Sequence, residues 1–236
     1  MTLDKKRIPA HIAIILDGNR RWARKKGFPP MEGHRRGMEN VERIVKFSKE
    51  IGIKAISVYA FSTENWERAK DEIKFIMDMV DRYFNKNYKK LKEQGIRIIH
   101  SGRMRNLTSS TRRAIRFAVK ETKMNYDIIF NICFNYGGQQ EIIDGIKKMN
   151  VAIKKKKFSL ARLNEKTFKQ FMYNPELPDP DLVIRTSGEV RTSNFLLWES
   201  AYSEWYFSPL NWPDFKEKDL VLAIKEYQSR ERRWGK

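Results

Sequence analysis

One short run, Asp17-Gly18-Asn19-Arg20-Arg21-Trp22, places a carboxylate, a glycine, an amide and two arginines directly after the apolar stretch His11–Leu16. A helix opening there exposes unpaired N–H groups and the positive end of its dipole, which suits a phosphate. Gly18 permits close backbone approach, the arginines add charge, and Asp17 can hold a metal between itself and the anion. An ordinary Asp-Gly-Asn turn is the plainer account of the same residues. A second run, Ser62-Thr63-Glu64-Asn65-Trp66 with Arg68 beyond it, follows Lys54–Phe61, and Ser62 or Thr63 alone would serve as a helix cap. A third follows Leu182–Thr186, where Arg185 and Arg191 flank a small-residue loop. Two arginines so spaced read as an oxyanion or phosphate clamp, with two surface salt bridges as the alternative. Glu204 is a polar island among aromatics, either paired inside the fold or committed to a cation. Of three histidines, His34 stands among glycines and arginines where a diphosphate contact is open to it, while His11 and His100 read as structural.

Positioning these groups requires strands whose ends meet. Candidate strands are His11–Leu16, Lys54–Phe61, Ile96–Ser101, Ile128–Phe134, Leu182–Thr186 and Glu204–Phe207, near-continuous in apolar or β-branched residues, as strands covered on both faces should be. Helical patterns lie at Arg35–Ile51, Asp71–Gln94, Ser109–Lys123, Gln139–Lys155, Glu165–Met172 and Glu217–Arg232. Such alternation predicts an α/β fold, a mostly parallel sheet covered by helices on both faces. Sites in such folds gather outside the carboxyl ends of the strands, where the three runs fall.

Bulk properties narrow the class. The 236 residues, 41% hydrophobic and 33% charged, exclude a disordered or fibrous chain. No linker or repeat divides the sequence, so a single domain over 1–236 is expected. No apolar run is long enough to span a membrane, and the first residues lack a secretory signal's apolar stretch, so a cytoplasmic location is expected. The single cysteine, Cys133, excludes an intrachain disulfide. The net charge of +19 suggests phosphorylated substrates, an anionic membrane surface or nucleic acid. From Lys5 to Arg36 there are ten Lys/Arg against Asp17 and Glu32, whereas Lys154–Lys157 reads as a solvated helix end. The motifs GxxxxGK[ST], GxGxxG, HExxH and GxSxG are missing. Two anion clamps and two candidate metal carboxylates fit an enzyme that joins two phosphorylated substrates.

The run from His11 to Ala23 resembles the opening signature of the cis-prenyltransferases, the undecaprenyl diphosphate synthase family. So do Tyr59–Trp66, Asn135-Tyr136-Gly137-Gly138, Ser193–Trp198, Trp212-Pro213-Asp214-Phe215 and Arg230-Glu231-Arg232-Arg233, in order and spacing from about Ile8 to Gly235. The DDxxD of the trans-type synthases is missing. The resemblance implies a single α/β domain with about six parallel strands, acting as a homodimer. It implies repeated condensation of isopentenyl diphosphate onto an allylic diphosphate such as farnesyl diphosphate, giving a cis-polyprenyl diphosphate for lipid carrier synthesis. Carried over by position, Asp17 would hold Mg²⁺, with Glu204 as a second metal-associated carboxylate. Gly18, Asn19, Arg20, Arg21, Trp22 and His34 would contact the allylic substrate, and Ser62, Thr63, Glu64, Trp66 and Arg68 match its second loop. Asn65 matches the position assigned to proton removal, but a neutral amide is a poor base and should orient diphosphate or water instead. Arg185, Arg191, Thr192 and Ser193 would clamp isopentenyl diphosphate.

A greasy tunnel must hold the growing tail, and contact with a membrane surface would serve product release. The helix over Ile73–Leu91 offers a tunnel wall: Ile73, Ile76, Met77, Val80 and Phe84 make a core stripe, while Phe75 and Met79 widen its apolar arc. A helix covered on both sides is the competing account. Four positions depart from the family pattern: Pro30, Arg20, Ser187 and Gln139, standing respectively for arginine, glycine, glycine and arginine. Two rival functions are a non-catalytic subunit of a two-component cis-prenyltransferase and a basic nucleic-acid-binding protein. Such subunits usually lose the Asp-Gly-Asn motif, which stands here, and no nucleic-acid-binding motif occurs, so no nucleic acid is expected.

Overall fold

The computed structural model describes residues 3–230. Six strands form one all-parallel sheet: β1 (His11–Ile15), β2 (Ala55–Ser62), β3 (Ile96–Ser101), β4 (Ile128–Tyr136), β5 (Leu182–Arg185) and β6 (Glu204–Phe207), in the order β3-β4-β2-β1-β5-β6. Seven helices flank it: α1 (Asn19–Lys25), α2 (Pro30–Glu50), α3 (Lys70–Glu93), α4 (Ser109–Glu121), α5 (Gly138–Lys154), α6 (Glu165–Lys169) and α7 (Glu217–Ser229). The two faces of β1 show why its sequence is uniformly apolar. Ile12 and Ile14 enter the core shared with α2, α3, α4 and α7, while Ala13 and Ile15 enter the opposite core with Tyr136, Phe195 and Leu196. The expected α/β class and parallel sheet are therefore observed.

Several boundaries differ from the sequence expectation. Helix α2 starts at Pro30 rather than Arg35. Proline is suited to a helix's first turn, where its missing N–H needs no partner. The short α6 stops at Lys169, where the predicted helix ran to Met172. Strand β4 continues past Phe134 to Tyr136, because β2 keeps pairing with it as far as Ser62. Helix α7 ends at Ser229; residues 231 and 232 of the predicted helix, and most of the Arg230–Arg233 motif, lie outside the described residues. Lys155–Lys157 are exposed beyond the end of α5, as expected of a solvated run.

Strand order places the switch point between β1 and β5. The connections after β1 lead to one side of the sheet, and those after β5 lead to the other. Such a crevice is where open α/β sheets bind ligands.

Candidate active site

Asp17 leaves β1 at this crevice. Its carbonyl accepts from the Trp212 amide at 2.9 Å and from Thr186 Oγ1 at 2.7 Å, which fixes the turn without using the carboxylate. Gly18 takes φ +98° there, and a Cβ would lie 2.4 Å from Asn211 Oδ1 and 2.6 Å from Ser187 Oγ. Only glycine satisfies both the conformation and the space. Helix α1 then seats on α2: a Cβ on Gly33 would stand 2.1 Å from the Asn19 carbonyl oxygen, and one on Gly37 2.4 Å from Asn19 Oδ1. The tight seat leaves Asn19 Oδ1 buried without a partner.

The Asp17 carboxylate is gripped from two sides. Arg21 Nη2 donates to Oδ1 at 3.2 Å, and Arg185 Nη2 donates to Oδ2 at 2.8 Å. Arg185 is buried, and its other arm donates to the Arg191 carbonyl and to Ser193 Oγ, each at 2.6 Å. One planar guanidinium thus ties β5, the loop after it and the Asp17 turn together. Glu189 accepts from Arg21 at 2.7 Å and pairs with Arg191, and these two arginines hold its carboxyl below the usual carboxylate range.

A second charged cluster, around Glu72, escaped the sequence reading. This buried carboxylate meets His34 Nε2 at 3.0 Å, Arg68 at 3.0 Å and Arg20 at 3.7 Å. The i,i+4 spacing of Arg68 and Glu72 was the available signal. Burial lowers the pKa of the His34 imidazole. Asn65 closes a capping box after β2, its Oδ1 accepting from the Ser62 amide at 3.1 Å. Asn194 was also overlooked: its Nδ2 reaches Glu64 at 3.1 Å, while its Oδ1 and carbonyl accept from the Gln139 and Gly138 amides.

These groups border one cavity of about 600 Å³. Its polar mouth includes Asp17, Gly18, Asn19, Arg20, Arg21, His34, Ser62, Glu64, Asn65, Arg68, Arg185 and Ser193. Its apolar interior runs between α2, α3 and the sheet, past Met38, Val41, Met79, Val80, Phe84 and Phe130.

The other expected site residues lie elsewhere. Trp22 faces outward from α1, its indole N–H donating to Asp214 at 2.8 Å and its ring stacked on Phe28. Trp66 packs on Phe61 and donates to Asn135 at 2.7 Å. Thr63 donates to Glu64 outside the cavity lining, and Arg191 and Thr192 occupy the solvent side of their loop. Glu204 is the first residue of β6, in register with Leu182, whereas Arg185 pairs with Phe207. That register sets it about 10 Å upstream of the carboxyl end of the sheet. Arg230 donates to it at 2.7 Å. Phe75 does not line the cavity, whereas Met79, Ile76 and Val80 do.

The buried Glu141 and the half-buried Glu199 are electrostatically linked. Glu141 accepts from the Tyr136 hydroxyl and the Tyr173 amide, whereas Glu199 Oε2 is buried without a partner. Burial raises the pKa of both carboxyls, and that of Glu199 is pushed up to about 8 by burial and then by Glu141. A carboxyl raised on folding binds more protons folded than unfolded, so its contribution falls as pH rises from the unfolded value toward 8. Tm should accordingly drop between pH 5.5 and pH 8.5, and Glu199→Gln should flatten that drop while raising Tm at the alkaline end. Parallel melting curves for both proteins would refute this reading of the pair.

Residues 15–235 match the family model described as "Putative undecaprenyl diphosphate synthase". The isoprenyl transferase of Clostridium perfringens is 43% identical over 235 residues, covering 100% of this chain and 93% of that protein. A Methanopyrus kandleri protein, named tritrans,polycis-undecaprenyl-diphosphate synthase (geranylgeranyl-diphosphate specific), is 43% identical over 98% of this chain and 86% of its own length. Among solved structures, lavandulyl diphosphate synthase from Lavandula x intermedia, in complex with dimethylallyl diphosphate, superposes with a TM-score of 0.94 at 32% identity, covering 98% of this chain and 100% of that one.

Proposed function

As the chain belongs to the undecaprenyl diphosphate synthase family and is a prenyl transferase, we propose that it condenses isopentenyl diphosphate repeatedly, with cis geometry, onto an allylic diphosphate. The product would be a cis-polyprenyl diphosphate for lipid carrier synthesis. The observation that carries this reading is one cavity with a cationic mouth around Asp17 and an apolar interior between α2 and α3. Such a cavity suits a substrate with a diphosphate head and a hydrocarbon tail.

Each residue has a definite part. Gly18, Asn19, Arg20 and Arg21 receive the allylic diphosphate at the start of α1, and Glu72 orients Arg20, Arg68 and His34 toward the mouth. Arg185 and Ser193 hold isopentenyl diphosphate beside it, and Asn65 orients a diphosphate or water. The allylic C–O bond breaks and diphosphate departs with the electron pair. C4 of isopentenyl diphosphate forms the new C–C bond, and a proton leaves C2. The arginines offset the charge that grows on the departing diphosphate. Asp17 is a hard oxygen donor suited to Mg²⁺, and no group of three ligating side chains gathers among the described residues. One carboxylate plus water and diphosphate oxygens is a mode Mg²⁺ favours, and the bound ion would add charge neutralisation at the diphosphates.

Homodimer formation belongs to the same proposal, supported by exposed Ile143 and Ile146 on α5. Among the described residues no helix is long and apolar enough to cross a membrane. The test is incubation with isopentenyl diphosphate and geranyl, farnesyl or geranylgeranyl diphosphate in detergent, with Mg²⁺ or a chelator. Mg²⁺-dependent extension of at least one primer is expected; no extension of any primer rejects the reading. Met79→Trp should shorten the product by one or more isoprene units by filling the cavity, whereas Phe75→Ala should leave the product ladder unchanged. A ladder that responds to Phe75 and ignores Met79 would contradict the assigned wall.

A further inference from the structure

Charge is unevenly spread. From Arg82 to Tyr126 there are thirteen Lys/Arg and two acids, Glu93 and Glu121, a net +11 within a chain of net +19. The substrate mouth uses none of them. Glu121 is already engaged by Lys92, and Arg97 and Arg103 are paired with Glu176 and Asp144. Arg113, Arg116, Lys120 and Lys123 carry no ion pair among the described residues. The first three share the outer face of α4 with Phe117, at i, i+3, i+4 and i+7.

Apolar groups sit among these cations. Phe117 is 43% exposed and meets Tyr88 of α3 ring to ring at 4.8 Å. In the turn after α4, Met124 and Tyr126 are 84% and 88% exposed, far more than their chemistry favours in water. Between α4 and the edge strand β3 lies a recess of about 460 Å³ bordered by Arg97, Arg116, Lys120 and Lys123, with Ile98 and Val119 beneath. Helix α3, against which α4 packs, also walls the apolar cavity.

We propose that the α4 face, with the turn through Met124 and Tyr126, docks the enzyme on an anionic phospholipid bilayer. The cations meet lipid phosphates, with the recess admitting a headgroup, and Phe117, Met124 and Tyr126 enter the interfacial layer. Self-association through this face is opposed by like charge. Nucleic acid would satisfy the cations but would leave Met124 and the apolar floor of the recess without a role. The choice of a bilayer rests on the prenyl-transfer reading, which supplies an apolar product.

The test is co-sedimentation with vesicles of phosphatidylcholine alone or with one-third phosphatidylglycerol. Each surface cation contributes roughly fivefold near an anionic bilayer. Replacing Arg113, Arg116, Lys120 and Lys123 together by Gln should therefore cut binding to the anionic vesicles by at least about 100-fold. A charge-matched control, with Lys154, Lys155, Lys156 and Lys157 all changed to Gln, should bind within a few-fold of wild type. Neutral vesicles should bind neither. Equal losses in both variants would mean that only net charge matters and would overturn the surface. Binding of duplex RNA with the same α4 dependence, without vesicle binding, would overturn it too. Prenyl transfer in detergent should be unchanged in both variants. A wild-type protein that makes product but ignores anionic vesicles rejects the surface alone. One that binds vesicles but makes no product in detergent rejects the transfer reading and leaves the surface supported.

Discussion

Asp17→Ala should lower the single-turnover rate of prenyl transfer by at least about three orders of magnitude while the protein stays folded. Metal-assisted stabilisation of a developing anion is worth several kcal/mol, and the same carboxylate sets the positions of Arg21 and Arg185. The turn itself should survive, because Trp212 and Thr186 hold the Asp17 carbonyl, which alanine retains. Some stability is lost, since buried Arg185 is left with fewer acceptors. Asp17→Asn separates the two effects. It keeps the shape of the side chain and an acceptor for one arginine, so Tm should recover, but a neutral amide is a weaker Mg²⁺ ligand and the rate should not. Single-turnover rates against Mg²⁺ concentration, with circular dichroism as the folding control, decide the matter. A folded Asp17→Ala protein with near-normal rate and unchanged Mg²⁺ dependence would remove Asp17 from the chemistry.

Arg185→Ala should reduce kcat/KM for isopentenyl diphosphate by about 10²–10³-fold, with a smaller effect on the allylic substrate. Hydrogen bonds from a charged donor are worth about 1.5–3 kcal/mol each, and Arg185 is the buried arginine that the cavity shares with Asp17 and Ser193. Arg185→Lys keeps the charge but loses the fork that reaches Asp17, Ser193 and the Arg191 carbonyl at once. It should restore Tm more than it restores KM. Arg191→Ala should cost less than tenfold, because that side chain is exposed and already paired with Glu189. Steady-state kinetics with each substrate varied in turn gives the answer. Equal losses for both substrates would show that Arg185 serves the mouth as a whole rather than the isopentenyl side.

The charged groups at the two strand ends illustrate how legible the site was. Asp17 and Arg185 were identifiable because each directly follows a run of apolar residues, and a run buried on both faces must deliver its next polar residue to the rim of the sheet. Glu72 was not, because a carboxylate in the first turn of an amphipathic helix looks like ordinary dipole compensation until His34 and Arg68 are seen around it. Trp22 and Trp66 belong to motifs that imply substrate contact, and their indole N–H groups donate to Asp214 and Asn135. Motif membership fixes a residue's neighbours in sequence, not the side of the loop on which it projects.

Taken by itself, the sequence determined the strands, the helices and their alternation, because apolar period, proline placement and turn residues are local properties that each segment carries alone. Family membership was equally legible, since it rests on the order and spacing of motifs. Which strands became neighbours was decided only in three dimensions. Arg185 donates to Asp17 across 168 positions of chain because β5 adds to β1 on the side away from β2. The placement of Glu204 was decided in the same way: strand register, a property of the assembled sheet, sets it near Leu182 and Arg230 instead of at the crevice. The inner wall of the cavity likewise depends on how α3 is rotated against α2 and the sheet, and that rotation turns Met79 inward and leaves Phe75 outside the lining. Helical period defines an apolar arc, but only packing against specific partners chooses which part of the arc lines a cavity and which part fills a core.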